Sequence, residues 1–565
     1  MVSPYNIGSA NVQPVGASSQ GTAVAAAGFA NVLLLSYQGA TNVQTGGVGA
    51  AVAQAFISQT TVFGSIGSAS QTVGYGQNFG GSGPYGIYDP RYFIILPGSA
   101  AQGVATATYV PAADFFNSAR SAPYDIGATI LNAPGSYAAF PTSSLYTDPW
   151  GNSVGAGLTV VQGPIVSTTL TTTQMSTPSN FQTAVSNAVS GGSNTILMPG
   201  GNYTWSGGGS SNGGGAMLTV AGTASNWIVI KPASGTPVKI TGPGLGTVGG
   251  GGMWMLEINH SGPTYLDIEG LNLTNGNFGI VLHAGTYIRF YNCNMTQFGN
   301  TGFYAGPTNS TVGNYEISYC SSTYTSLNYN STTGSSGWNG AFTMWGNNVS
   351  CMYNLVTFSQ GEGIDPQGDN QLIYGNTVYM TGRPGIYNWG NGKIVVDSNF
   401  VYQDQANQAA FYANVPVGGV NDSEGISDDN EGSSGSSIPV QYLTTRNNIV
   451  WGCTHGIVHR NYNTGSGMTH ARWENNTVLG GQTGTLCCYE IDSGTHTDVV
   501  VANNIGMWTT AGNGKNFLGG SDGAGGGAPA NVTLQNNCWY NFPYPSAANG
   551  TGNTGDVNGN PLFHG

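Results

Sequence analysis

The asparagines Asn272, Asn294, Asn354, Asn376, Asn399, Asn448, Asn476, Asn504 and Asn537 recur in one sequence frame, and that frame restricts the folds open to the chain. Each follows a short strand-like run, as at residues 288–293, 394–398 and 499–503. Several lead into a second apolar run, as in Thr377-Val378-Tyr379, Phe400-Val401-Tyr402 and Ile449-Val450-Trp451. The tightest intervals are about 22 or 23 positions and the looser ones about 28 or 33, the spacing of a unit that buries its apolar face only by stacking on copies of itself. Runs of about five residues divided by Gly, Asn and Asp turns, with no helical period between them, predict the coils of a parallel β-helix. An Asn at each bend satisfies turn backbone above and below through its side-chain amide.

Composition narrows the function classes. Only 6% of the 565 residues are charged, against about 25% in ordinary globular chains. The first charged side chain is Asp89 and no lysine precedes Lys231. The formal charge of −13 reflects 11 basic residues against 24 acidic ones. Without a basic patch to release counterions, nucleic-acid binding is not expected. No apolar run reaches the roughly 18 residues of a membrane helix, so no membrane insertion is expected. Residues 24–37 lack the basic start and long apolar stretch of an export signal. Thirty tyrosines, 20 Phe and 11 Trp argue against disorder despite the abundance of Gly. The seven cysteines, an odd number, cannot all pair internally. Cys293 and Cys320 fall at equivalent places on adjacent coils, where either a disulfide or a packed thiol ladder fits.

The chain divides in three. Residues 1–170 carry charge only at Asp89, Arg91, Asp114, Arg120, Asp125 and Asp148. They read as a β-rich attachment or assembly domain, with strands at 29–37, 56–63 and 92–96, because obligate interfaces exclude charge. Residues 171–179 read as a linker. Residues 180–565 form the β-helix, opened by a capping helix whose apolar positions Phe181, Ala184, Val185, Ala188 and Val189 keep helical spacing. Ser179 or Asn180 is the expected N-cap and Gly191-Gly192 the stop. The fold expected is therefore all-β, a single right-handed parallel β-helix behind a β-rich attachment domain.

The segments "NTILMPGGNYTW", "GTASNWIVIKPASGTPVKITG" (222–242), "GEGIDPQGDNQLIYGNTVYMTGRPGIYNWGNGKIVVDSNFVY" (361–402) and "GDVNGNPLF" (555–563) resemble those of pectate-lyase-like parallel β-helix proteins. Alginate-lyase and chondroitinase-B-like chains are the nearest in character. The resemblance spans about 180–565 and implies the fold, which hosts lyases, hydrolases, tailspikes and adhesins alike. Lyases of this kind use Lys or Arg as base, which points to Lys393 and Arg383, with Asp397 beside Lys393 as the alternative, a solvated strand pair. "GEGIDP" is similar to the first acidic motif of polygalacturonases, and "SDDN" (427–430) with "CTHGI" (453–457) to later ones, but the pattern is broken. Glu362, Asp365 and Asp369 are then the candidate hydrolytic carboxyls.

Aromatic residues near these coils, Trp338, Trp345, Tyr387, Trp389 and Tyr402, are candidate sugar-stacking faces, with some needed for the core. The acidic run "NDSEGISDDNEG" offers Asp422, Glu424, Asp428 and Asp429 as oxygen ligands for Ca²⁺, although its spacing matches no rigid calcium loop and a solvated loop reads as well. No cofactor is required by any motif. Taken together, these features lead to the expectation of a tailspike- or fibre-like virion surface protein. It would bind host-surface glycan, be homotrimeric and meet other particle proteins through residues 1–170. A secreted polysaccharide lyase or hydrolase, and a structural subunit of an extracellular filament, stay open beside it.

Overall fold

The computed structural model describes residues 90–95, 98–130, 143–233, 236–246, 252–306, 312–328, 340–388, 392–403, 424–429, 440–460, 467–480, 487–492, 494–508, 515–519, 531–540, 555–561 and 563. The expected strands at 29–37 and 56–63, and the site candidates Trp338, Trp389 and Asp422, lie outside them.

The chain winds as a right-handed parallel β-helix. Successive coils stack strand on strand in three parallel columns. One is a continuous 13-stranded sheet running from Gly201–Thr204 to Val557–Asn558. A second includes Val312–Ser318, Asn347–Met352, Gln371–Tyr374, Ile394–Asp397 and Val440–Arg446, each paired in parallel with the next. The third carries the polar face described below. Alternation along each strand sends every second side chain inward. Phe303, Phe342, Ile364, Ile386, Ile426 and Ile457 thereby form one fully buried inner row. Each such side chain contributes about 1.5–3 kcal/mol by leaving water.

The bends explain the repeat. From Asn354 onward every amide Nδ2 donates to the Oδ1 of the asparagine on the following coil: Asn354 to Asn376 at 3.0 Å, Asn376 to Asn399 at 2.9 Å, Asn399 to Asn448 and Asn448 to Asn476 at 3.0 Å. Asn476 reaches Asn504 at 3.0 Å, Asn504 reaches Asn537 at 3.1 Å, and Asn537 ends on Asp556 at 3.2 Å. The same Oδ1 also accepts the backbone N–H of the preceding asparagine, as in Asn448 to Asn476 at 3.0 Å. The second amide hydrogen satisfies a carbonyl one coil back, as in Asn448 to Val396 at 2.9 Å. The residue before each ladder asparagine turns into left-handed backbone, with φ of 53° at Asn447, 52° at Asn475 and 57° at Asn503. That conformation favours Asn and Gly and accounts for the Asn-Asn and Gly-Asn pairs.

Two of the expected ladder members stand one position out of frame. Asn294 pairs with Ser321, and Ser321 with Leu355, so Cys293 and Cys320 occupy the level of Asn354. Cys320 N–H donates to Asn354 Oδ1 at 2.8 Å, and Cys293 N–H to Cys320 Sγ at 3.3 Å. All seven cysteines are buried free thiols.

The capping helix α1 spans Pro178–Ser190, and its N-cap is Thr177, which accepts Asn180 N–H at 3.1 Å. Ser179 and Asn180 lie inside the first turn, because Pro178 takes the early position that needs no N–H donor. Gly191 closes the helix. Parallel coil pairing begins ahead of α1, at Ser167–Thr169, which pairs with Thr195–Met198. Of residues 92–96, expected as a strand, the described 92–95 instead hold the end of a 3-10 turn at Pro90–Phe93 and an isolated bridge from Ile95 to Phe563.

The described residues of the charge-poor stretch ahead of α1 lie on the solenoid. Phe93, Phe115 and Phe116 cover the outer side of the 13-stranded sheet at Phe400, Tyr402, Ile449 and Trp451. Tyr146 and Val154 cover Tyr319, Met352, Tyr353 and Tyr374. Arg120 is held by the carbonyls of Gly127 and Ala128 at 2.7 and 3.0 Å and by Asn447 Oδ1 at 3.1 Å. At Gly127 (φ 96°) a Cβ would lie 2.5 Å from Ile505, so only glycine allows this close approach.

Candidate functional site

Six strands of the third column define the face: β1 (Phe342–Trp345), β2 (Ile364–Gln367), β3 (Ile386–Asn388), β4 (Glu424–Asp428), β5 (His455–His459) and β6 (Cys487–Ile491). With the Phe and Ile row turned inward, the outward positions are Thr343, Asp365, Tyr387, Ser427, Val458 and Glu490. Trp345 and Gln367, two residues on, are outward neighbours as well.

Glu362 and Asp365 meet on this face. A Cβ at Gly340 would lie 3.2 Å from Asp365 Cβ and 3.4 Å from Glu362 Cβ, so both carboxylate stems border the same small space. Each residue is 2% exposed. Gln367 donates its amide to Asp365, and Thr343 accepts Gly340 N–H at 2.9 Å. Burial, with the Asp365 charge nearby, pushes the Tyr304 phenol up to about 12. Arg383 lies in the equivalent turn one coil on, set between Gly382 N–H, which donates to Ser359, and Pro384 C=O, which accepts Gly363 N–H. Tyr387, half-buried on β3, is level with Asp365, and half-buried Trp345 on β1 is level with Gln367.

Asp369 and Lys393 sit elsewhere, at the edge of the face. Lys393 Nζ lies 3.4 Å from Asp369 Oδ2, and the pair lines a cleft of about 410 Å³ with Gln367, Gln441 and Tyr442. Asp397 is not the partner of Lys393. It is buried, bonded to Tyr146, and paired with Arg446 at 3.1 Å. The sequence candidates thus separate into Glu362, Asp365 and Arg383 on the face and Asp369 with Lys393 at its rim, with Gln367 touching both.

Tyr402 faces no solvent. It is 1% exposed, stacked on Tyr379 at 4.4 Å and covered by the Phe93 cluster. The three-residue strand Phe400–Tyr402 turns Val401 inward, which sends Tyr402 to the outer side that the N-terminal segment covers.

Nor do Glu424, Asp428 and Asp429 form a solvated loop. They are 4%, 0% and 0% exposed, and alternation points Asp428 and Asp429 to opposite sides. Asp428 faces the core, accepting Trp473 Nε1 at 2.8 Å, Thr445 Oγ1 at 3.0 Å and Asn388 Nδ2 at 2.6 Å. Burial raises its pKa to about 6 against those three donors. His459 donates Nδ1–H to the Asp428 carbonyl at 2.5 Å, and burial lowers its pKa to about 3, so the ring is neutral. Asp429 accepts Ser427 Oγ at 2.8 Å and Arg460 N–H at 2.8 Å. The Asp428 carboxylate thus points away from the other two, while Glu424 and Asp429 stand near each other beside Arg460.

Sequence reasoning passed over Arg460, His455 and Glu490, which gather beside Glu424. Arg460 spans Glu424 and Glu490, with Nη2 2.9 Å from Glu424 Oε1 and Nη1 3.0 Å from Glu490 Oε1. The one available signal was "CTHGI", which places His455 at a strand start.

No family model matches the sequence, and no curated protein matches it. Among solved structures the chain is similar to an alginate lyase from a Paenibacillus strain, at 15% identity and TM-score 0.32, over 63% of this chain and 98% of that one. It is similar to the catalytic domain of a GH87 α-1,3-glucanase at 12% identity and TM-score 0.38, over 69% and 71%. It is similar also to the tailspike of E. coli bacteriophage HK620 at 12% identity and TM-score 0.32, over 71% and 61%. Among the described residues no helix is long and apolar enough to cross a membrane. With its parallel register from Ser167 to Asn558, the chain is a right-handed parallel β-helix.

Proposed function

We propose that this chain binds a carbohydrate polymer along the outer side of β1 to β6 and hydrolyses it with Glu362 and Asp365. The observation that carries the reading is that the Glu362 and Asp365 stems border one small space at Gly340, on a face whose outward row is polar at five of its six positions, Val458 excepted. Glycoside hydrolysis requires one carboxyl as acid and a second as base or nucleophile. Coils rising about 4.8 Å each present their side chains in a row that suits a repeating chain. Trp345 and Tyr387 supply stacking faces beside the pair. Display on a virus particle as a homotrimer is part of the proposal. It is supported by the charge-poor sequence of residues 1–170, and since the described parts of 90–158 lie on the solenoid, attachment is assigned to the stretch before residue 90.

The test is a panel of soluble polysaccharides, uronate-containing and neutral, assayed for reducing-end release and for binding. Wild-type protein is expected to cleave at least one. Glu362→Gln and Asp365→Asn should each lose about 100-fold or more in cleavage while binding stays within a few-fold. Cleavage that survives both substitutions, or release of unsaturated ends that marks elimination, would remove this pair as the hydrolytic centre.

A further inference from the structure

Three coils beyond Glu362 the same face changes its chemistry from oxygen to mixed donors. Glu424, His455 and Cys487 are stacked in register at the starts of β4, β5 and β6. Glu490, three residues after Cys487, directs its carboxylate back at the stack. Its Oε2 is 3.4 Å from His455 Nε2 and 3.6 Å from Cys487 Sγ. All three donor atoms lie within 4.8 Å of one another. The His455 and Glu490 side chains are 5% and 0% exposed. Bond lengths of about 2.0–2.1 Å to nitrogen and oxygen and about 2.3 Å to sulfur give tetrahedron edges near 3.4 and 3.6 Å, which are the separations found here.

We propose that His455 Nε2, Cys487 Sγ and Glu490 Oε2 bind one transition-metal ion of the zinc class, leaving one of its four tetrahedral positions open. An imidazole, a thiol and one carboxylate oxygen select zinc-like ions over calcium, which takes six to eight oxygens. Arg460 is the positioning residue. Its Nη1 holds the other oxygen of Glu490 at 3.0 Å, which fixes Oε2 toward His455 and Cys487. Glu424 Oε1, 3.9 Å from His455 Nδ1, stands on the far side of the ring. Outer partners of this kind orient ligands and tune their affinity. The assignment does not rest on the glycan reading, since it is set by donor geometry alone.

The experiment uses full-length, tag-free protein stripped with chelator and dialysed against Zn²⁺, then against Co²⁺ in its place. One Zn²⁺ per chain is expected by elemental analysis. With Co²⁺, visible d–d absorption should appear together with a near-ultraviolet thiolate-to-cobalt band. Cys487→Ser should abolish the thiolate band, His455→Gln should abolish stoichiometric binding, and Arg460→Gln should weaken zinc affinity about tenfold while leaving one site. Wild-type protein that retains no Zn²⁺, a thiolate band that persists in Cys487→Ser, or displacement of Zn²⁺ by equimolar Ca²⁺ would each overturn the site. The wild-type stoichiometry and cobalt spectrum decide the matter even where a variant fails to fold.

Discussion

The bend ladder and the outer face of β1 to β6 are built on the same coils, yet they obey opposite rules. At the bend, Asn354 to Asn537 repeat one residue in one geometry, because each amide serves backbone that every coil exposes. On the face, successive outward positions read Thr343, Asp365, Tyr387, Ser427, Val458 and Glu490, with no residue repeated. Repetition marks what the backbone demands, and variation marks where the solenoid leaves side chains free for chemistry.

Breaking the ladder should give the largest effect. Asn448→Ala strands the Asn399 N–H and Nδ2 and the Val396 carbonyl in a dry interior. We expect a loss of about 4 kcal/mol in urea unfolding. A loss under about 1 kcal/mol would mean that water replaces the amide. On the face, Glu362→Gln should show the reverse, with the activation barrier raised by about 3 kcal/mol and stability lowered by less than about 0.5 kcal/mol. Equal losses in melting temperature and activity would place Glu362 in the framework instead.

Glu474 tests a third case, a buried acid that belongs to neither set. Burial raises its carboxyl to about 7, against the lowering effect of Arg446 and Arg472. A folded-state pKa above the unfolded one means that the folded protein binds the extra proton between about pH 4.5 and 7. This group therefore costs stability as pH rises through that window, on the order of 3 kcal/mol above pH 7. Glu474→Gln should raise the melting temperature at pH 8 and have no effect at pH 4. A gain that is flat with pH would assign the effect to packing. The smallest change is expected at Asn294, which stands out of frame, donates its amide to Asn272 at 2.7 Å and accepts Ser321 Oγ at 2.6 Å. Asn294→Ala should cost about 2 kcal/mol, and a loss equal to that at Asn448 would extend the ladder across the frame shift.

The same contrast explains how much could be read from the sequence. The fold was legible because left-handed residues such as Asn447 and Asn475 precede ladder asparagines and so print a dipeptide at each bend. The frame shift at Asn294 was not, since Cys293 and Cys320 fill the ladder level with thiols and look like packing. Of the site, Glu362 and Asp365 were named, and the structure brings them together. Tyr402 was misplaced because strands of three residues give too little alternation to tell an outer aromatic under a covering segment from one in water. The acids of β4 were read as loop because a run dense in Asp, Glu, Gly and Ser has a loop's composition. Their burial depends on Trp473 and Arg460, which lie some thirty to forty-five residues away in sequence.

The ladder also has a direction. Every Nδ2 from Asn354 to Asn537 points toward the following coil, so the side-chain dipoles add, with the positive end at the last rung. There the chain places Asp556, which accepts Asn537 N–H at 2.7 Å and Trp539 Nε1 at 2.9 Å. A carboxylate matches the sign of that end, and when ionised it has no hydrogen to hand on. An incoming strand from a second molecule would find an acceptor where the column requires a donor, with negative charge in place of an amide. Among the described residues, an ionised Asp556 thus closes the hydrogen-bonded column, since it passes no N–H to a further rung.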